Sequence, residues 1–261
     1  MSALIVTIVQ ADLLWHDAGG NRKQLTTAIE GLQEHADLIV LPEMFTTGFS
    51  MDAPSLAESM DGESVSWMRD MAAMNEAAVC GSLIVTENQQ YYNRFICAFP
   101  DGELQCYDKR HLFRLANEQN HYAPGTELLT FEWQGWRICP MVCYDLRFPV
   151  WSRNKDTYDL LLYVANWPNR RHHAWETLLR ARAIENLSYV VGVNRTGTDG
   201  NDIPYDGGSS IIDYLGADLA NLGDRKDIAT ATLDREKLAA FRKRFAFHKD
   251  ADDFTISGTG R

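Results

Sequence analysis

The chain has 261 residues, and its 45% content of hydrophobic residues is enough to bury one large core. Its formal net charge of -11 argues against a general affinity for nucleic acid or for an anionic membrane surface. A small anionic substrate is still compatible with this charge, because one local arginine can outweigh a diffuse negative field.

The N-terminus and the cysteines both favour a cytoplasmic location. The first residues contain no basic segment, Asp12 comes too early for a signal peptide, and no apolar run approaches the about 20 residues that span a membrane. The five cysteines are an odd number, which argues against a disulfide framework. Cys139 and Cys143 lack the spacing of a zinc site, and His172 and His173 have no evident partner ligand, so we expect no metal.

The first half of the chain alternates apolar, β-branched runs with longer segments of helical spacing. The short runs predict buried strands, and the segments with apolar residues three or four positions apart predict helices. The predicted strands cover residues 3–9, 37–41, 79–86, 91–99 and 102–108, and the predicted helices cover residues 21–35 and 64–78.

The second half repeats this alternation. An apolar run over residues 159–166 begins with Asp and resembles the run over residues 37–41. Strands are predicted at residues 136–143, 159–166, 189–194, 209–213 and 229–233, and helices at residues 173–186 and 234–245.

Strands that alternate with helices predict an α/β fold in which helices cover the sheet. Hairpin-like sections near residues 91–108 and 205–219 add antiparallel pairs, so we expect mixed sheets. We expect one α/β domain over residues 1–261, and the two similar Asp-initiated runs indicate two related halves. Residues 247–261 form a polar tail that either frays or docks on a neighbouring subunit.

Three reactive side chains follow three predicted strands. Glu43 follows the strand that ends at Leu41, Lys109 follows the strand through Tyr107, and Cys143 ends the run over residues 136–143. Ligands of α/β sheets gather at the carboxyl ends of strands. We therefore expect these three side chains to meet in one site.

Their chemistry is that of a nucleophilic hydrolase. A thiol is a good nucleophile only as thiolate, and a nearby carboxylate can take its proton. A lysine ammonium beside the thiol stabilises both the thiolate and the oxyanion of a tetrahedral intermediate. The backbone N–H of Tyr144, directly after the nucleophile, is the natural second oxyanion donor.

Each residue also has an ordinary structural interpretation. A cysteine that ends an apolar run is usually buried filler. A glutamate after Leu-Pro is usually a solvated loop residue, and the Asp-Lys-Arg sequence at residues 108–110 is typical of a charged surface. The functional interpretation depends on the three residues acting together.

Four segments, in order along the chain, resemble the nitrilase superfamily of carbon–nitrogen hydrolases. Residues 39–45 (Ile-Val-Leu-Pro-Glu-Met-Phe) resemble the segment around its catalytic glutamate, and residues 107–113 (Tyr-Asp-Lys-Arg-His-Leu-Phe) the segment with its lysine. Residues 142–149 (Val-Cys-Tyr-Asp-Leu-Arg-Phe-Pro) resemble the nucleophile segment, and residues 181–186 (Ala-Arg-Ala-Ile-Glu-Asn) the helix that follows it.

The resemblance implies an α-β-β-α sandwich with two sheets packed face to face between helix layers. It also implies a thioester acyl-enzyme, release of ammonia and hydrolysis by water. A second glutamate after the lysine helps to position the reacting groups, and Glu118 is the matching candidate, with an exposed loop carboxylate as its alternative interpretation. The superfamily further implies a homodimer. Nothing in the sequence requires a metal, a nucleotide or a flavin, and no phosphate-binding Gly-rich motif follows a strand, so we expect no cofactor.

Within the superfamily the chain is most similar to the omega-amidase branch, which hydrolyses the terminal amide of 2-oxoglutaramate or 2-oxosuccinamate. Residues 143–151 and residues 163–168 carry this resemblance. Such substrates have a carboxylate opposite the amide, and a planar arginine can clamp a carboxylate with two hydrogen bonds. Arg147 could supply this clamp, or it could pair with Asp145 or Glu185 as part of the scaffold.

Aromatic residues near these motifs could form the walls of a small pocket that excludes water, although the same residues could be ordinary core. These residues are Phe45, Phe113, Tyr144, Phe148 and Trp167. Other activities stay open at this stage: a nitrilase, an aliphatic amidase, an N-carbamoyl amino acid hydrolase, an acyltransferase, a Cys–His hydrolase and a non-catalytic binding module.

Overall fold

The computed structural model describes residues 3–256. These residues form two six-stranded sheets, a two-stranded ribbon and five α-helices. The strands are β1 (Ala3–Gln10), β2 (Leu38–Val40), β3 (Ala78–Glu87), β4 (Gln90–Ala98), β5 (Leu104–Asp108), β6 (Phe131–Trp133), β7 (Trp136–Val142), β8 (Leu160–Val164), β9 (Tyr189–Val193), β10 (Thr196–Thr198), β11 (Pro204–Asp206), β12 (Ser210–Ile212), β13 (Asp218–Asn221) and β14 (Asp227–Asp234). The helices are α1 (Ala18–Glu30), α2 (Ala53–Leu56), α3 (Glu63–Asn75), α4 (His172–Asn186) and α5 (Arg235–Arg244). No helix within residues 3–256 is long and apolar enough to cross a membrane.

The two large sheets repeat one arrangement. The first has the order β14-β1-β2-β3-β4-β5, and the second, counted from its matching edge, has the order β6-β7-β8-β9-β12-β13. In each sheet three parallel strands occupy the centre, with one antiparallel strand on one side and two on the other. This correspondence supports the two related halves that the Asp-initiated runs indicate.

Side-chain alternation along β2 shows how the layers are built. Leu38 and Val40 point into the core between the two sheets, whereas Ile39 and Leu41 point into the core beneath α1 and α3. Strand β8 is buried at every position because the first sheet covers one of its faces and α4 the other. The predicted α-β-β-α sandwich with mixed sheets is confirmed.

The strands and helices lie close to their predicted positions. Helix α1 begins earlier than predicted because the Asp17 carboxylate caps it by accepting the Gly20 N–H. Helix α3 ends at Asn75, because Glu76 adopts a left-handed conformation with φ of 50°. The short strands β6, β10, β11 and β13 and the four-residue helix α2 were not predicted.

The described part of the C-terminal tail contacts its own chain. Phe247–Asp250 forms a 3-10 turn, and Lys155 lies 3.3 Å from Asp253 and 4.6 Å from the centre of the Phe254 ring. Residues 257–261, the rest of the predicted tail, lie outside the described residues.

Candidate active site

The ends of three strands bring the predicted reactive side chains together. Glu43 comes shortly after β2, Lys109 directly after β5 and Cys143 directly after β7. Glu118 begins the 3-10 turn Glu118–Asn120 and lies beside Lys109. The two sheets thus meet at one cluster of two carboxylates, one ammonium and one thiol.

Lys109 is the centre of the charged network. Its Nζ donates to Glu43 Oε1 at 3.0 Å and to the two carboxylate oxygens of Glu118 at 2.9 and 3.0 Å. All three side chains are buried. Buried charges of this kind are stable only when paired and hydrogen-bonded, and here both conditions are met.

Cys143 occupies a strained turn. Its φ is 45°, a left-handed conformation that costs a non-glycine residue about 1–3 kcal/mol. The buried carboxylate of Asp145 holds the turn, because it accepts the Val142 N–H at 3.0 Å and the Tyr107 hydroxyl at 2.8 Å. The strand-to-turn geometry resembles a nucleophile elbow, which presents the reactive atom at the edge of a sheet.

The electrostatics keep the resting thiol protonated. Burial and the nearby Glu43 carboxylate raise the pKa of the Cys143 thiol well above its usual range, against the opposing effect of Lys109. Glu43, whose charge acts on the thiol, is the base that can deprotonate it. A base is therefore required at the moment of attack.

For Lys109 the nearby charges outweigh burial, whereas for Glu118 burial outweighs the nearby charge. Burial disfavours the ammonium of Lys109, but the carboxylates of Glu118 and Glu43 outweigh this effect and raise its pKa. Burial raises the pKa of Glu118, while Lys109 opposes that shift. Lys109 is thus a permanent cation beside the sulfur, suited to stabilise an oxyanion.

Two asparagines, neither of them predicted as site residues, hold Glu43 in place. Asn93 Nδ2 donates to Glu43 Oε1 at 2.7 Å, and the Asn166 backbone N–H donates to Glu43 Oε2 at 2.7 Å. Asn166 Nδ2 also donates to the Glu43 main-chain carbonyl at 2.6 Å. Both carboxylate oxygens of Glu43 are therefore oriented, with one of them shared with Lys109.

A cavity of about 560 Å³ opens onto this cluster. Cys143 and Lys109 lie in its wall, as do four of the residues predicted to bind substrate or form the pocket. These four are Phe113, Tyr144, Arg147 and Trp167. The volume suits a short, small-molecule substrate.

Phe45 and Phe148 do not line this cavity, and the prediction that they form its walls is wrong. Phe45 is buried in the core beneath α3, with its ring centre 5.6 Å from that of Trp67. Phe148 stacks on His111 with 3.8 Å between the ring centres, and it contacts the Tyr144 ring edge-on. Phe148 thus supports a wall residue without being one.

Arg147 does not pair with either of the two acidic residues that the sequence offered as scaffold partners. The carboxylate of Asp145 is engaged by Tyr107 and His111, and Glu185 pairs with Arg182 at 2.9 Å. The Arg147 guanidinium instead lies 4.9 Å from the centre of the Trp167 ring and remains exposed. Both alternative partners proposed from the sequence are therefore occupied by other residues.

Within residues 3–256, no group of three or more His, Cys, Asp or Glu side chains has the arrangement of a metal site. The chemistry available from the described side chains is that of a base, an ammonium and a thiol. These three groups are the ones that a cysteine hydrolase with an acyl-enzyme intermediate requires.

Comparison with known proteins identifies the family to which the chain belongs. Residues 5–243 match the carbon-nitrogen hydrolase family model. The chain is 47% identical to omega-amidase YafV of Yersinia enterocolitica, over 98% of this chain and 100% of that one. It is 35% identical to the 2-oxoglutaramate amidase of Bacillus subtilis (strain 168), over 91% of this chain and 93% of that one.

A solved structure has the same fold. XC1258 from Xanthomonas campestris, a CN-hydrolase superfamily protein with an arsenic adduct in the active site, is 48% identical and superposes with a TM-score of 0.96. The match covers 98% of this chain and 100% of that one.

The chain belongs to the carbon–nitrogen hydrolase family and is a hydrolase of non-peptide carbon–nitrogen bonds. Within that family it belongs to the omega-amidase branch of the nitrilase superfamily, as the sequence motifs predicted.

Proposed function

We propose that the protein hydrolyses the terminal amide of small dicarboxylic acid monoamides such as 2-oxoglutaramate and 2-oxosuccinamate, with release of ammonia. The observation that carries this proposal is one cavity whose wall contains Lys109 and Cys143, which belong to the Glu43–Lys109–Cys143 cluster, and also Arg147, which has no carboxylate partner among the described residues. The omega-amidase and 2-oxoglutaramate amidase relatives support the same substrate class.

The first half of the reaction forms a thioester. Glu43 takes the proton of the Cys143 thiol, and the sulfur attacks the amide carbon to form a C–S bond. The Lys109 ammonium and the Tyr144 backbone N–H stabilise the oxyanion. As the C–N bond breaks, Glu43 returns the proton to the departing nitrogen, which leaves as ammonia.

The second half restores the enzyme. Glu43 now takes a proton from water, whose oxygen attacks the thioester carbon. The C–S bond breaks, the sulfur regains a proton, and the free acid leaves. Glu118 is a positioning residue in this scheme, because it orients the Lys109 ammonium through two hydrogen bonds.

Arg147 binds the far end of the substrate in this proposal. Its exposed guanidinium rests on Trp167 and presents its hydrogen-bond donors to the cavity that contains Cys143. A substrate carboxylate there would place the amide at the sulfur. Phe113, Tyr144 and Trp167 flank the short carbon chain between the two ends.

The test is an ammonia-release screen over 2-oxoglutaramate, 2-oxosuccinamate, glutamine, an aliphatic nitrile and a carbamoyl amino acid. We expect the highest kcat/KM for the two 2-oxo acid amides. A clear preference for the nitrile or for the carbamoyl compound would overturn the substrate assignment. Loss of all ammonia release in Cys143→Ala, with an unchanged circular dichroism spectrum, checks the nucleophile.

We also propose that residues 1–261 act as one domain, that two copies form a homodimer, and that the enzyme works in the reducing cytoplasm. All five cysteines are free thiols, which supports a reducing compartment. Light scattering tests the assembly: a mass near twice the 29.6 kDa of one chain is expected, and a monomer would refute it.

A further inference from the structure

A second arginine in the cavity has no role in the mechanism above. Arg171 ends the 3-10 turn Asn169–Arg171 and forms the N-cap of α4. Its guanidinium lies in the cavity wall, 5.0 Å from the centre of the Phe113 ring. Phe113 contacts Tyr144, the residue next to Cys143, edge-on.

The two cavity arginines rest on two different aromatic rings, and one of these rings, Trp167, contacts both arginines. Trp167 carries Arg147 over its face and donates its indole N–H to the Arg171 carbonyl at 2.8 Å. Arg171 in turn lies over Phe113. Flat contacts of this kind hold a guanidinium plane in a fixed orientation while leaving its edge free to donate hydrogen bonds.

Neither guanidinium has a carboxylate partner among residues 3–256. Every other arginine of residues 3–256 that is similarly or more deeply buried donates to a carboxylate or to a main-chain carbonyl. Arg94 and Arg242, for example, bind Asp108 and Asp159. A half-buried arginine without a partner is costly, and such a group at an enzyme's reactive cavity is typical of a binding role.

The placement of Arg171 has a further electrostatic cost. A cation at the N-terminus of a 15-residue helix opposes the helix dipole, and the first turn of α4 contains no acidic residue to offset it. Burial and the nearby Arg170 and Arg147 guanidinium groups lower the pKa of Arg171. An anion in the cavity would offset the unfavourable helix dipole, the burial of the Arg171 charge and the repulsion from Arg170 and Arg147.

We propose that Arg171 is a second carboxylate-binding residue, which together with Arg147 clamps the carboxylate and the adjacent 2-oxo group of the substrate. This inference rests on the proposed function and specifies how that site recognises its substrate. A planar 2-oxo acid offers three oxygens, which is more than one bidentate arginine can satisfy. Two guanidinium groups supply enough donors for all three.

The experiment compares a charged and a neutral amide of equal length in matched variants. Arg171→Met removes the guanidinium but keeps an unbranched side chain that can rest on Phe113. Arg171→Lys keeps the charge and loses the planar fork. Arg114→Met is the control, because Arg114 is an exposed arginine outside the cavity wall and its replacement changes the net charge equally.

We expect Arg171→Met to lower kcat/KM for 2-oxoglutaramate about 30- to 100-fold, mainly through KM, as for loss of hydrogen bonds to a charged group. Turnover of pentanamide should change less than threefold. Arg171→Lys should give an intermediate loss, and Arg114→Met a change below twofold with both substrates. The inhibition constant of glutarate, a non-hydrolysable dicarboxylate, should rise in Arg171→Met but not in Arg114→Met.

Equal losses on 2-oxoglutaramate and pentanamide in Arg171→Met, or an unchanged glutarate constant, would overturn the role of Arg171 and leave the proposed function intact. If the wild-type enzyme itself shows no preference for 2-oxoglutaramate over pentanamide, the proposed function fails first. Circular dichroism of each variant separates loss of binding from loss of folding, and Arg171→Lys supplies the comparison if Arg171→Met does not fold.

Discussion

The two sheets have matching strands, and β2 of the first corresponds to β8 of the second. The chain that leaves β2 supplies Glu43, whereas the chain that leaves β8 supplies Asn166. Asn166 cannot ionise, and it binds Glu43 through its backbone N–H and its side-chain amide. Matching strand ends therefore have complementary roles, since one presents the base and the other orients it.

The same division extends to the rest of the site. The first half of the chain supplies Glu43, Lys109 and Glu118, which are buried and bonded to one another. The second half supplies Cys143 and Arg147, which lie in the cavity wall together with Lys109. Replacements in the first group should therefore lower kcat, whereas replacements of cavity arginines should raise KM.

The largest effect of these predictions is expected for Glu43→Gln. Glutamine cannot take a proton, and the raised pKa of the Cys143 thiol leaves little thiolate at neutral pH. We expect kcat to fall about 10³- to 10⁴-fold, the range typical of a lost general base, with little change in KM. The matched control is Glu30→Gln, an exposed glutamate at the end of α1, which should stay within twofold of wild type.

A smaller loss is expected for Asn166→Ala, the change at the matching strand end. The backbone N–H still binds Glu43, but the main-chain anchor is lost and the carboxylate can shift. Misplacement of a catalytic group by about 1 Å can cost about 100-fold, and we expect kcat to fall about 10- to 100-fold. Steady-state kinetics across pH 6–9 should show a displaced profile; an unchanged profile would mean that Asn166 serves the scaffold alone.

Arg147→Lys tests the expectation that replacement of a cavity arginine changes KM for the substrate. The ammonium keeps the charge but cannot form two parallel hydrogen bonds, so KM for a carboxylate-bearing amide should rise about tenfold. KM for a neutral amide should change less than twofold. Equal changes for the two substrates would show that Arg147 has no part in carboxylate binding.

The smallest effect on activity is expected at the starts of the same two strands, where both halves have an aspartate whose replacement lowers stability instead. Asp159 binds Arg137 and Arg242, both at distances of 2.7–2.8 Å, whereas Asp37 accepts the Ile5 N–H and lies beside His35. Removal of one partner from a buried ion pair costs about 3–5 kcal/mol, and loss of one ordinary hydrogen bond about 1 kcal/mol. Denaturant unfolding should therefore show a larger loss for Asp159→Asn than for Asp37→Asn.

The pH dependence of that stability follows from the pKa of Asp159. Burial alone would raise this pKa, but the hydrogen bonds and charge of Arg137, together with Arg242, lower it below its ordinary value. The stabilisation is present above the pKa of this aspartate in the unfolded chain, about 4, and is lost as the pH falls through the lower pKa of the folded state. In Asp159→Asn this acid-dependent loss should be absent, and an unchanged acid transition would contradict the assignment.

Most strands and the reactive cluster could be predicted from the sequence because each depends on a local pattern, whereas the sandwich was implied by the family resemblance. Apolar runs located the strands, and the ends of those runs located Glu43, Lys109 and Cys143. The unpredicted strands β6, β10, β11 and β13 have three or four residues each, too few for a clear period.

The remaining site residues depend on distant contacts. Asn93 and Asn166 reach Glu43 across 50 and 123 residues of sequence, and nothing in their local surroundings indicates that contact. Phe45 and Phe148 lie beside reactive residues in sequence, but the direction of each side chain turns it away from the cavity. Arg171 belongs to a run of charged and polar residues that is ordinarily typical of a solvated surface.

The central claim is that Cys143 carries the acyl group, and rapid-quench mass spectrometry with 2-oxoglutaramate tests it most directly. The intact mass should increase by that of the substrate less ammonia, and peptide mapping should locate the adduct on Cys143. The adduct should form far more slowly in Glu43→Gln. Turnover without any adduct, or an adduct on another residue, would contradict the account.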